Sequence, residues 1–161
     1  MAEYTLSILV DNKPGVLTRV TGLIARRGYN IESLAVDKTE DPRLSRVTLV
    51  TTAEEVPLEQ IKKQLHKLIN VHKITELTPE DSVDRELALF KIKVSVDQRP
   101  ELIKLAEMFK AQVIDVATDT LTLEATGDQP AIARLEELLR AYGIVEMARS
   151  GKLALPRGKH S

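Results

Sequence analysis

The chain of 161 residues is predicted to be an α+β protein made of two tandem ferredoxin-like units, each with the order β-α-β-β-α-β. Three observations predict this. The hydrophobic period alternates between two and about 3.6 in that order, and does so twice. The polar stretch "TPEDSVDRE" separates the two runs. The segment "DNKPGVL" at 11–17 is echoed by "DQRPELI" at 97–103, at the same strand-to-helix turn of each half. The implied organisation is a first unit over 1–78, a linker over 79–86, a second unit over 87–150 and a basic tail over 151–161. The tail has no period and is expected to be flexible.

In the first half, residues 4–10 alternate, with Leu6, Ile8 and Val10 on one face, as a strand requires. From Gly15 the period lengthens, and Val16, Leu17, Val20, Leu23 and Ile24 fall on one helical stripe. Arg26 and Arg27 suit the negative end of that helix. Gly28 supplies a left-handed residue beyond it. "NIESLAVD" at 30–37 and the β-branched "LSRVTLVTT" at 44–52 predict two strands joined by a polar turn containing Pro42. Pro57 suits the first position of a helix, with Leu58, Ile61, Leu65 and Leu68 as its stripe. "NVHKITEL" at 70–77 is the last strand of the unit.

The second half repeats the order. "LALFKIKVSV" at 87–96 puts Ala88, Phe90, Ile92, Val94 and Val96 on one face. A helix is expected from Pro100 to Lys110, with Leu102, Ile103, Ala106 and Phe109 inward. "VIDVA" and "TLTLEAT" read as a hairpin around Thr118–Asp119. Asp128 and Pro130 open a helix carrying Ile132, Leu135, Leu138 and Leu139, and "GIVEMAR" at 143–149 is a final strand.

Composition narrows the function. With 23 Lys and Arg against 24 Asp and Glu, the chain lacks the basic excess of a general polyanion binder. Aromatic residues are 3% of the chain, too few for a base-stacking platform, and the central-strand positions such a platform would use hold Ser7, Ile8, Thr48 and Leu49. There is no cysteine, which removes disulfides and thiolate chemistry and fits a reducing compartment. His66, His72 and His160 match no metal-binding spacing. No phosphate-binding loop, dinucleotide fingerprint, nucleophile elbow or zinc-protease motif is present. No apolar run approaches the ~20 residues that span a bilayer, and the N-terminus has no basic leader region. A cytoplasmic protein that binds neither nucleic acid nor membrane is the expectation. Three classes are open to such a chain: a small-molecule regulatory module, a nucleic-acid binder of the same fold and a small phosphatase-like enzyme using Arg19 with Asn30. The first fits best.

The turn at 11–17 carries the interest. Pro14 is ordinary helix-start chemistry. Gly15 stands where the second copy has Glu101, which suggests that the turn alone does not demand glycine. The first N–H groups of a helix lack internal partners and attract a carboxylate if its approach is clear. Gly15 therefore reads either as a plain helix-start glycine or as an opening for an anionic ligand. Asn12 reads as a turn or capping residue, or as an amide that meets a ligand. Asn30 reads as a residue tolerant of unusual backbone angles, and Arg19, Arg26 and Arg27 as a solvated face or dipole partners.

The segments "NKPGVLTRVTGLIARRGYNIESLAV", "DPRLSRVTLVT", "QIKKQLHKLINV" and "VEMARSG", in this order, resemble the small regulatory subunit of acetolactate (acetohydroxyacid) synthase over nearly the whole chain. The resemblance implies that the first unit is an ACT domain, a ferredoxin-like module that binds amino acids. It implies no catalysis by this chain. The partner would be a large catalytic subunit carrying thiamine diphosphate, Mg²⁺ and FAD, active in valine, leucine and isoleucine synthesis. The small subunit would activate it and confer feedback inhibition, with valine the leading effector. The effector loop carries over onto Asn12, Lys13, Pro14, Gly15, Val16 and Leu17, and the facing strand start onto Asn30 and Ile31, with the site shared between the ACT domains of a homodimer. A free-standing amino-acid sensor acting on another protein is the alternative.

Overall fold

The computed structural model describes residues 2–53 and 58–158, so Pro57 and His160 lie outside the described residues. The chain divides into two compact units, Met1–Asp84 with Lys152–Ser161, and Arg85–Gly151.

The first unit contains β1 (Ala2–Asp11), α1 (Val16–Arg26), β2 (Asn30–Lys38), β3 (Leu44–Ala53), α2 (Leu58–His66) and β4 (Val71–Glu76). Its antiparallel sheet has the order β2-β3-β1-β4. β1 pairs with β3 without interruption from Ala2↔Ala53 to Asp11↔Leu44. Because side chains alternate across a strand, that register sorts them onto two faces. Leu6, Ile8, Val47 and Leu49 are fully buried in one core with Val20 and Ile24 of α1 and Ile61 and Leu65 of α2. Each such aliphatic side chain contributes roughly 1.5–3 kcal/mol by leaving water. Thr5, Ser7, Thr48 and Val50 lie on the opposite, outer face and are also buried. Gly28 has φ +83°, the left-handed residue expected after α1.

The second unit is built from β5 (Ser82–Lys93), whose first three residues belong to the first unit, a single 3-10 turn (Val96–Gln98), α3 (Arg99–Met108), β6 (Gln112–Val116), β7 (Thr120–Gly127), α4 (Gln129–Leu139) and β8 (Ile144–Arg149). The strand order is β6-β7-β5-β8. Phe90, Ile92, Leu121 and Leu123 form its core with Leu102 of α3 and Ile132, Leu135 and Leu139 of α4. Asp128 caps α4 by accepting the Ala131 N–H at 3.0 Å. The chain thus carries the ferredoxin-like order twice, as expected.

Several expectations are corrected. The linker over 79–86 is a short turn followed by strand, because β5 begins at Ser82. The Ser82 hydroxyl donates to the Thr78 carbonyl at 2.6 Å, and Glu86, only 6% exposed, is paired with Arg149. Arg149 also reaches Glu136 at 3.7 Å. A polar segment looks solvated when its partner lies 63 positions away in the sequence. Val96 is 63% exposed because the strand has already ended in the 3-10 turn. Ile103 and Leu138 are exposed edges of their helices, whose buried stripes are narrower than expected.

The tail expected to be flexible over 151–161 contains a strand. Leu153–Pro156 forms β9, which pairs with β5. The Lys152 N–H donates to Ser33 Oγ at 3.0 Å, and its ammonium donates to Thr5 Oγ1 at 3.2 Å. The Arg157 N–H donates to the Asp81 carbonyl at 2.7 Å. Ser33 and Thr5 both flank Val50 on the outer face of the first sheet, so Lys152 is tied to that face. One strand of four residues leaves too short a pattern to see in advance.

The alternation of β9 is directly testable. Ala154 is buried and Leu153 is exposed. Ala154→Asp should cost about 2 kcal/mol or more, as an unpaired buried carboxylate does, whereas Leu153→Asp should stay within about 0.5 kcal/mol. Denaturant midpoints of the two variants provide the comparison.

Candidate functional site

The turn between β1 and α1 is fastened at three points. The Asn12 N–H donates to the Arg43 carbonyl at 2.8 Å, and the Asn12 side-chain amide donates to the Pro42 carbonyl at 3.1 Å. The Lys13 N–H returns to the Asp11 carbonyl at 3.0 Å. Asn12 therefore ties the helix entry to the β2–β3 turn. That turn is itself held by Asp41, whose carboxylate accepts from both the side chain and the backbone N–H of Arg43.

Gly15 is the N-cap of α1, with φ +83° and ψ −12°, and no side chain among the described residues caps the helix. The Val16 N–H makes a long bond of 3.4 Å to Lys13 O. The N–H groups of Leu17 and Thr18 have no acceptor among the described residues. These free donors give the helix mouth its partial positive charge. A Cβ added at Gly15 would meet only Arg19 Nη2, at 4.0 Å, so the approach is open.

The comparison with Glu101 does not hold in three dimensions. In the second unit the chain makes a capping box at Ser95 and a 3-10 turn before α3 starts at Arg99. Glu101 lies inside the first turn of α3, with Pro100 before it. Gly15 lies outside its helix in the left-handed region, where a non-glycine residue is strained. The two segments match in letters and differ in conformation, so the turn does require Gly15. An open helix mouth follows from that backbone.

The expected site residues divide into two groups. Asn12, Lys13, Pro14 and Gly15 are exposed around the mouth, Val16 is buried beneath it, and Leu17 packs at the edge of the core. Asn30 and Ile31 begin β2, where Asn30 pairs with Thr52. Asp11, beside the mouth, pairs with Leu44. The groups therefore occupy opposite ends of the sheet, separated along β3 by roughly 25 Å. Ile31 packs against the core, and the Asn30 side-chain amide donates to Glu32 Oε1 at 2.6 Å.

Below the mouth lies a polar network that the sequence reading missed. Asp11 Oδ2 accepts from the Asn70 side-chain amide at 2.7 Å, and Asp11 Oδ1 lies 2.6 Å from His72 Nε2. Arg19 Nη1 donates to Asn70 Oδ1 at 2.8 Å, so Arg19 is anchored rather than merely solvated. Asn70 and His72 lie beyond α2, and no local pattern joins them to Asp11. The Asn70 and His72 hydrogen bonds hold the Asp11 carboxyl below the ordinary range, aided by the charge of Lys13.

Comparisons with known proteins agree with this architecture. Residues 6–73 match the family model described as "AHAS small subunit-like ACT domain", and residues 85–158 match "Small subunit of acetolactate synthase". The chain is 50% identical over 158 residues to the acetolactate synthase small subunit of Mycobacterium leprae, covering 98% of this chain and 94% of that protein. It is 46% identical over 156 residues to the probable acetolactate synthase small subunit of Archaeoglobus fulgidus, covering 97% and 98%. The crystal structure of the acetolactate synthase small subunit from Thermotoga maritima superposes with a TM-score of 0.91 at 37% identity, covering 99% of this chain and all of that one.

The β2–β3 turn offers a pH test. Hydrogen bonds from Arg43 lower the Asp41 carboxyl from 3.8 to about 2. A lowered folded-state value means that its contribution is complete above the ordinary carboxyl value and is lost as pH falls through about 2. Carboxyl NMR titration should find Asp41 half-protonated near that pH, and Arg43→Ala should move it up toward 3.8. In the same experiment Asn70→Ala should raise the Asp11 value and leave Asp41 in place.

Proposed function

The chain belongs to the acetolactate synthase small-subunit family, and from that premise we propose that it is a regulatory, non-catalytic subunit that binds a large catalytic subunit in the cytoplasm, activates it and confers feedback inhibition by valine in branched-chain amino-acid synthesis. In this reading thiamine diphosphate, Mg²⁺ and FAD belong to the large subunit.

The observation that carries the effector reading is the open helix mouth at one end of the sheet with Asn30 and Ile31 at the other. One chain cannot close such a site, whereas two can. β2 is an edge strand, with one row of backbone groups unpaired within the sheet. A second copy added antiparallel to β2, about a two-fold axis near Leu34, sets the partner's Asn30 opposite Lys38. Lys38 pairs with Ser45, at the end of the sheet that carries the mouth. The homodimer thus offers each mouth the strand start of the other chain.

The valine carboxylate then meets the free N–H groups of Leu17 and Thr18, where helix polarity and unpaired donors act together. The partner's Asn30 amide orients the ligand's charged groups. Asn12, Lys13 and Pro14 hold the loop shape, Val16 supports it from below, and Leu17 with the partner's Ile31 lines the side-chain pocket. A methylene in such a pocket discriminates by only about 1–3 kcal/mol, so leucine and isoleucine should bind more weakly rather than not at all. Regulation requires valine to favour one dimer arrangement over another, and a coupling of ~1–3 kcal/mol changes partner activity several-fold.

Gly15→Asn and Gly15→Asp test this reading, because both residues tolerate the left-handed backbone better than most. Calorimetry on the full chain should show valine binding weakened roughly tenfold or more by the aspartate, whose charge repels a carboxylate, and less by the neutral asparagine. Undiminished binding to Gly15→Asp overturns the helix-mouth model. Both variants should still capture a thiamine-dependent large subunit. If the unaltered chain captures none, a free-standing amino-acid sensor is the better reading.

A further inference from the structure

We propose that the outer face of the first sheet carries a second ligand site, beneath the strap formed by the C-terminal strand, for a small carboxylate with net negative charge and a short apolar body. A cavity of about 350 Å³ lies there, within the range of small-molecule sites. Its floor is Ser7 and Leu9 of β1, Arg46 of β3 and Thr75 of β4, and Leu155 and Pro156 of β9 form its roof. All belong to the first unit.

The chemistry follows from what lines the cavity. Arg46 Nη1 donates to Ser7 Oγ at 2.7 Å, and Ser7 is only 2% exposed, so the guanidinium is fixed. The remaining Arg46 N–H donors have no acceptor among the described residues. Lys73 brings a second positive charge with no ion pair among the described residues. No carboxylate lines the cavity among the described residues. Asp37, opposite Arg46 in the register, turns its Oδ1 to the Lys38 N–H at 2.7 Å and makes no ion pair with Arg46. A planar guanidinium with free donors beside an ammonium is suited to a carboxylate. Leu9, Leu155 and Pro156 are suited to an aliphatic body.

Selectivity follows as well. An amino acid would bring its ammonium against two cations, with no acid among the residues that line the cavity to receive it. The same acid without the amino group carries no such penalty. This cavity therefore selects against the zwitterions that the helix mouth is proposed to bind, and the two sites take different ligands.

The pair valine and isovalerate, which differ only in the amino group, provides the test. NMR titration of the full chain with isovalerate should shift the amides of Ser7, Arg46 and Leu155. Valine should not shift them. Arg46→Met and Lys73→Met should each weaken isovalerate binding, the former roughly tenfold or more. Leu155→Asp places a carboxylate at the roof, and because Leu155 is 53% exposed the fold loses no core packing. It should abolish isovalerate binding while leaving valine binding at the helix mouth intact. Gly15→Asp should do the reverse, which separates failure of this site from failure of the amino-acid site. Absence of isovalerate binding, equal response of these amides to valine, or binding indifferent to both Arg46→Met and Leu155→Asp would overturn the proposal. Inorganic phosphate serves as the control anion, and a response equal to that of isovalerate would reduce the cavity to a generic anion trap.

Discussion

The uninterrupted pairing of β1 with β3 is the constraint on which the first unit depends. With a side-chain period of two, one register assigns every residue of both strands to a face. Leu6, Ile8, Val47 and Leu49 meet the helices, while Thr5, Ser7, Arg46 and Thr48 point the other way. A slip of one residue would bury the hydroxyls and Arg46 under α1 and expose the aliphatic core. The same register carries Asp11 to the end of the sheet, where Asn70 and His72 receive it and Asn12 ties the helix entry to the Pro42 turn. The helix mouth inherits its place from the sheet rather than from the helix.

Family membership and a bare helix terminus contribute different parts of the functional reading. The first supplies the association with acetolactate synthase. The second supplies a physical means of recognising a carboxylate. In the second unit Asp128 caps α4 with its side chain, and Ser95 opens the 3-10 turn that precedes α3. Two copies of one fold thus enter their first helices differently: the first through a left-handed Gly15, the second through a 3-10 turn.

Most of the fold was legible in the sequence, because strong local periodicity decides an element's type. The stripe Val16, Val20, Leu23, Ile24 and the alternation Ala88, Phe90, Ile92 both survive into the buried cores. What escaped were features whose partners are distant. Glu86 looks like a linker residue until Arg149 is beside it, and Asp11 looks like a turn residue until Asn70 and His72 close on it. Gly15 shows another limit. Its position in the motif was visible, but its φ of +83° was not, and the alignment with Glu101 drew the wrong lesson from identical spacing. Letters report which residues occur at a turn, whereas backbone angles decide why.

The second unit, Arg85–Gly151, interrupts the first in the chain, since the strap that returns to the outer face comes from Lys152 onward. During synthesis, therefore, the first unit emerges with all four of its sheet strands and waits while the whole second unit is made. At about 5–20 residues per second that wait lasts several seconds. For that interval Thr5 and Ser33 lack Lys152, and the Arg46 cavity has a floor without a roof. A nascent chain, or one cut short before β9, would keep the helix mouth and lose the covered outer face. The strap thus makes the outer face a mark of the finished chain.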